Sequence, residues 1–178
     1  MNDACHCGKQ AETSFQHLGP LCRGCFSEVI QRRCRKAAKD AGWFAQGQKI
    51  HIINDGTLQN NSVRHLFRQV VKGIPLEEVA AEKAEIVILG KTADDEAEDF
   101  LQQLFEGKLS ETNAINLLAN VSTAELEKYC EFEGITGDKK PASELRRKLE
   151  ALEQKYPGTM FALQKGKDSF KHRKSTSL

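Results

Sequence analysis

The sequence predicts an α/β fold: a parallel sheet covered by helices on both faces, with a small cysteine knuckle ahead of it. Three observations predict this. Residues 49–53 and 85–89 are short apolar runs rich in β-branched residues, as expected of strands buried on both faces. Amphipathic helical segments alternate with them, and strand–helix–strand alternation implies parallel pairing. Four of the six cysteines fall within the first 25 residues, as Cys5-His6-Cys7-Gly8 and Cys22-Arg23-Gly24-Cys25.

Composition bounds the rest. The 178 residues fit one domain plus a small appendage, and 39% hydrophobic with 29% charged residues is ordinary for a soluble chain. No apolar run approaches the roughly 18 residues of a membrane span. Met1-Asn2-Asp3-Ala4-Cys5 has neither a basic nor an apolar leader region, so the expected location is cytoplasmic. Six cysteines in that setting argue against a disulfide framework. The net charge of +1 hides segregation: residues 1–46 carry +3, 47–76 carry +3, 77–133 carry −11 and 134–178 carry +6. Basic ends suit nucleic acid, and the acidic middle would have to face away from it. Solvated helix faces would give the same pattern.

The expected divisions are 1–28, a knuckle; 29–46, a basic linker helix; 47–164, the α/β domain; and 165–178, a basic disordered tail. In the knuckle, Gly24 relieves the tight turn of Cys22-x-x-Cys25, and residues 9–21 can form a hairpin with Phe15 and Leu18 beneath it. Four thiolates at Cys5, Cys7, Cys22 and Cys25 suit a structural, tetrahedral zinc. The first pair is an irregular Cys-x-Cys, so His6 is an alternative to Cys5, and His17 a weaker one. Cys34 and Cys130 each stand alone, Cys130 reading as a buried thiol. The helix at 26–41 carries Arg32, Arg33, Arg35, Lys36 and Lys39, which beside a knuckle suit RNA phosphates. A connecting helix with an exposed charged side is the plainer alternative. Trp43 and Phe44 should dock on the next domain.

The strand at 49–53 leads into Asn54-Asp55-Gly56-Thr57 and then a helix over 61–73. Strand, glycine turn and helix N-terminus make the usual cradle for phosphate, because backbone N–H groups and the helix dipole point at the anion. Here the turn has one glycine, and Asp55 puts a carboxylate where phosphate oxygens would sit. Pro75 follows, and 76–84 reads as a short helix. After the strand at 85–89, Thr92 caps a helix through Glu106, where Asp94, Asp95 and Glu96 suit the positive end. Phe100, Leu101, Leu104 and Phe105 are its buried stripe. A helix at 122–134 is capped by Ser122 or Thr123, and one at 141–156 places Leu145, Leu149 and Leu152 on one side. Residues 159–163 read as a short strand or extended segment.

In this order the parts resemble a known family. The knuckle, the basic helix, Gly47-Gln48-Lys49-Ile50-His51-Ile52-Ile53, the glycine turn and Leu89-Gly90-Lys91-Thr92-Ala93-Asp94-Asp95-Glu96-Ala97 are similar to the tRNA 2-thiolation enzymes. So is Glu153-Gln154-Lys155-Tyr156-Pro157-Gly158-Thr159-Met160-Phe161 near the end. The resemblance implies an adenine-nucleotide alpha-hydrolase-like sheet with an ATP-pyrophosphatase loop. The active loop reads Ser-Gly-Gly-x-Asp-Ser. The matching positions are Asp55, Gly56, Thr57, Leu58, Gln59 and Asn60, and only Gly56 agrees. No cysteine lies between the two apolar strands, where active members carry cluster-binding or sulfur-carrying cysteines, and that stretch is short. These losses, with Cys22-Arg23-Gly24-Cys25-Phe26, resemble the cytosolic thiouridylase subunit 2 family, the non-catalytic partners in wobble-uridine thiolation. The resemblance implies a zinc-bearing pseudo-enzyme that binds a catalytic tRNA thiolation subunit and tRNA, with a ubiquitin-like sulfur carrier acting indirectly. An active ATP-dependent tRNA sulfurtransferase with a divergent loop, and a knuckle adaptor without RNA contact, are the alternatives.

Overall fold

The computed structural model describes residues 4–107 and 114–166. The knuckle region forms an antiparallel hairpin, β1 (Thr13–Phe15) with β2 (Gly19–Leu21), as its length predicts. It runs into helix α1 (Arg23–Asp40). Strand β3 (Lys49–Ile52), helix α2 (Leu58–Val70), strand β4 (Glu77–Glu78) and strand β5 (Ile86–Leu89) follow. Helix α3 (Ala93–Glu106), strand β6 (Ile115–Asn116), helix α4 (Thr123–Glu133) and helix α5 (Glu144–Lys155) complete the order.

Among the described residues the sheet has four parallel strands in the order β4-β3-β5-β6. Ile50, His51 and Ile52 of β3 lie opposite Ile86, Val87 and Ile88 of β5. The chain leaves β3 for β4 on one side and β5 for β6 on the other, so right-handed crossovers put α2 and α3 on opposite faces. The contacts agree: α1, α2 and α4 pack on one another, and α3 packs on α5. The strand order reverses between β3 and β5, and open α/β sheets bind ligands at the carboxyl end of that crevice.

Local chemistry explains most element ends. Thr92 and Asp95 form a reciprocal capping box on α3, and Ser122 with Glu125 form one on α4. α2 begins at Leu58, earlier than the periodicity predicts, because Thr57 is its cap and accepts the Asn60 N–H. Three expectations are overturned. Of the stripe expected to be buried on α3, Phe100 is buried but Leu104 and Phe105 are exposed, because the end of the helix runs past the part that packs on α5. The helix expected over 76–84 is instead β4 followed by a single 3-10 turn, Ala81–Lys83. The N–H groups of Glu77 and Val79 donate to the carbonyls of Gln48 and Ile50 at the open edge of β3. The extended segment expected at 159–163 is helical, continuing through 166, and buries Met160 against Ala97 and Leu149. The tail beyond residue 166 lies outside the described residues.

One core runs through the knuckle, the linker helix and the sheet. Cys5, Leu21 and Cys22 belong to the same buried cluster as Phe26, Ile30 and Cys34 of α1, Ile50, Ile52 and Ile88 of the sheet, and Leu126 and Tyr129 of α4. Phe44 docks edge-on to Phe67 as expected, with ring centroids 5.5 Å apart. On the opposite face, the buried Arg146 guanidinium meets carboxylates of Asp94, Asp95, Glu98 and Glu150. That pairing lets the acidic start of α3 pack against α5 without uncompensated repulsion.

Candidate metal centre and degenerate nucleotide cradle

The ligand atoms of Cys5, Cys7, Cys22 and Cys25 all lie within 4.8 Å of one another, with Cys7 and Cys22 sulfurs 3.6 Å apart. A single ion about 2.3 Å from four thiolates holds them at tetrahedral corners roughly 3.8 Å apart, so the set fits one metal ion. A four-iron cube, with one thiolate on each iron, spreads its cysteines more widely. Local structure builds the site. Gly8, at φ +83°, closes the first loop, with Cys5 N–H donating to the Lys9 carbonyl and Gly8 N–H to that of Cys5. The turn expected to need Gly24 does not need it, since Gly24 sits in the first turn of α1. Cys22 is the N-cap of that helix and Cys25 is in its first turn.

Backbone N–H groups of Cys7 and Cys22 lower the Cys5 thiol to about 6. Hydrogen bonds shared with the Cys5, Cys7 and Cys22 sulfurs push Cys25 up to about 12. A bound divalent ion displaces such shared protons. His6 is exposed and outside this four-sulfur group. His17 is engaged elsewhere, its Nε2 lying 2.9 Å from Glu125 Oε1. Burial pushes both Cys34 and Cys130 up to about 12, the state of an unreactive thiol.

At the β3–β5 crevice, the cradle is filled by the protein's own groups. Asp55 Oδ1 accepts from the Thr57 hydroxyl at 2.6 Å, Asn60 Nδ2 at 2.8 Å and the Thr57 N–H at 3.0 Å. Those hydrogen bonds, the Thr57 hydroxyl first, hold its carboxyl down at about 2. Thr57 Oγ1 takes the Asn60 N–H, and the Leu58 N–H donates to the Asp138 carbonyl at 2.9 Å. Asp138 in turn donates its N–H to the Gly56 carbonyl. Gly137 makes this strap possible: a Cβ there would sit 2.7 Å from the Leu58 backbone. Asn60 Oδ1 accepts the Gly90 N–H at 2.8 Å, tying the loop after β5 to α2. Gly56, at φ +79°, makes the turn, and its carbonyl accepts the Asp138 N–H. Gln59 is buried with its Oε1 unpaired, which nothing in the structure explains. Gly137 and Asp138 carry no signal in the sequence, since they stand about 80 residues away from the loop they close.

The basic helix is only partly free. Arg32, Lys36 and Lys39 are exposed, and Arg35 pairs with Glu28 at 2.7 Å. Arg33 does not share their face. Its guanidinium reaches the fully buried Glu125 at 2.7 Å, bridging α1 and α4. Each residue turns the helix by about 100°, which carries Arg33 off the Arg32 side and toward the stripe of Phe26 and Ile30.

No protein-family model and no curated protein matches the sequence. Among solved structures, the chain is similar to the U34-tRNA thiolase NcsA from Methanococcus maripaludis, described with its [4Fe-4S] cluster. The TM-score is 0.75 at 15% identity, over 96% of this chain and 87% of that one. At that identity the likeness is one of fold. It agrees with the α/β parallel sheet predicted from the sequence. No helix among the described residues is long and apolar enough to cross a membrane.

Proposed function

We propose that this chain is a non-catalytic subunit of a cytoplasmic tRNA wobble-uridine 2-thiolation complex. It would pair with a catalytic thiolase subunit, which receives sulfur from a ubiquitin-like carrier, and help to hold tRNA. The likeness of fold to a U34-tRNA thiolase supports the setting. The observation that carries the non-catalytic role is Asp55: its carboxylate takes the donors that a pyrophosphate would need. Phosphoryl and adenylyl chemistry depends on donors aimed at developing negative charge, and here they face a fixed anion.

The four clustered cysteines would hold a structural zinc, which cross-links the loop before β1 to the start of α1. All four positions are filled by protein, so the ion has no open site for substrate. The remaining two cysteines are separate buried thiols, leaving no second cysteine set for an iron–sulfur cluster.

The test is made in the source cells. Deleting the gene should abolish 2-thiouridine at the wobble position, read by mass spectrometry of tRNA nucleosides. The tagged chain should copurify with a thiolase whose own loop is intact. Unchanged 2-thiouridine after deletion, with no thiolase in the purified complex, would sink the proposal.

A further inference from the structure

Helix α2 and the turn after it carry no acidic residue between Leu58 and Lys72. Arg64, Arg68 and Lys72 recur every fourth residue, and the two within α2 share one stripe. That stripe is opposite the buried Ser62, Val63 and Leu66. Arg64 pairs with Glu78 on the edge strand at 3.1 Å, while Arg68 and Lys72 are exposed. α1 packs on α2, and its exposed Arg32, Lys36 and Lys39 lie opposite its buried Ile30, Cys34 and Ala38. Packed helices stand about 8–10 Å apart. Both helices bury their apolar stripes in the same core, so each basic stripe is turned away from that core toward solvent. The acidic α3 belongs to the other face of the sheet.

We infer that Arg68 and Lys72 join Arg32, Lys36 and Lys39 in one basic plate that binds the phosphate backbone of a structured RNA. The inference rests on the proposed tRNA role for the identity of its partner. What supports a shared surface is the packing of α1 on α2. Along α1, Arg32 and Lys36 rise about 6 Å over four residues, a spacing that suits a polyanion. The neighbouring aromatics Trp43, Phe44 and Phe67 are partly buried and packed against the core. Charge without stacking groups positions a backbone and does not read bases.

A salt titration of full-length protein with an unmodified tRNA transcript tests the plate. Arg68→Gln with Lys72→Gln should lower affinity about tenfold at low salt and flatten the log–log salt slope by about two. Lys148→Gln with Lys155→Gln removes the same charge from exposed positions on α5, in the other layer, and should change neither. If wild-type protein binds tRNA and the α2 pair leaves affinity and slope unchanged, the plate is refuted while the thiolation role stands. Equal losses in both pairs would also refute it, as diffuse attraction. Wild-type protein with no affinity for tRNA would overturn both the plate and the RNA-binding part of the proposed function.

Discussion

Replacing Cys22 by Ser is expected to abolish stoichiometric zinc and to lower Tm by more than about 10 °C. Structural zinc contributes about 10–16 kcal/mol of apparent binding energy in small units, against about 5–15 kcal/mol for the whole stability of a domain. In this chain the loss does not stay local. Cys22 is 4% exposed and lies in the main core. Phe15 of the hairpin stacks on Phe26 at 5.4 Å, and Phe26 meets Phe132 of α4 edge-on at 5.8 Å. Loosening the hairpin therefore uncovers the packing of α1 on α4. Metal analysis and a thermal melt read the result. Metal-free protein purified without chelator, with the Tm of the wild type, would contradict it. Stoichiometric iron would keep the site and overturn zinc.

Glu125→Ala is expected to cost about 3–5 kcal/mol, the range for removing one partner of a buried ion pair. Glu125 is fully buried, and its Oε1 receives Arg33 at 2.7 Å and His17 at 2.9 Å. Its Oε2 accepts the Ser122 N–H at 2.9 Å, closing the capping box of α4. One substitution thus strands the Arg33 guanidinium, frees the tip of the cysteine hairpin and opens a helix end. Arg33→Met added to Glu125→Ala should recover part of the loss, because no charge is then left unpaired. Urea unfolding measures both. A cost below about 1 kcal/mol for Glu125→Ala would show that the carboxylate does not hold these elements together.

What the sequence revealed and what it hid divide along physical lines. β3 and β5 were legible because strands buried on both faces must be apolar throughout. α3 and α4 were legible because Thr92 with Asp95, and Ser122 with Glu125, spell their caps. The cysteine set was legible because a metal knuckle needs close pairs. β4 and β6 were not: each has two residues, and Glu77 and Glu78 join the sheet through backbone groups that any side chain would allow. The segment at 159–163 reads as extended because the two-turn helix it belongs to carries too few apolar positions to show its period. Arg33 was placed with the solvent-facing cations, yet it stands three residues after Ile30 and seven after Phe26, spacing that puts it near the buried stripe. Within the cradle, Asp55 was readable as an intruding charge. That it accepts three hydrogen bonds, and that Asp138 closes over Leu58, follows only from the folded chain.

The central claim is that this cradle does not take a nucleotide. Equilibrium titration of the isolated full-length chain with magnesium and ATP tests it most directly. The self-ligated loop predicts no saturable binding below about 1 mM, a free energy weaker than about −4 kcal/mol. One-to-one binding at micromolar concentration would contradict the account and favour an active ATP-dependent sulfurtransferase.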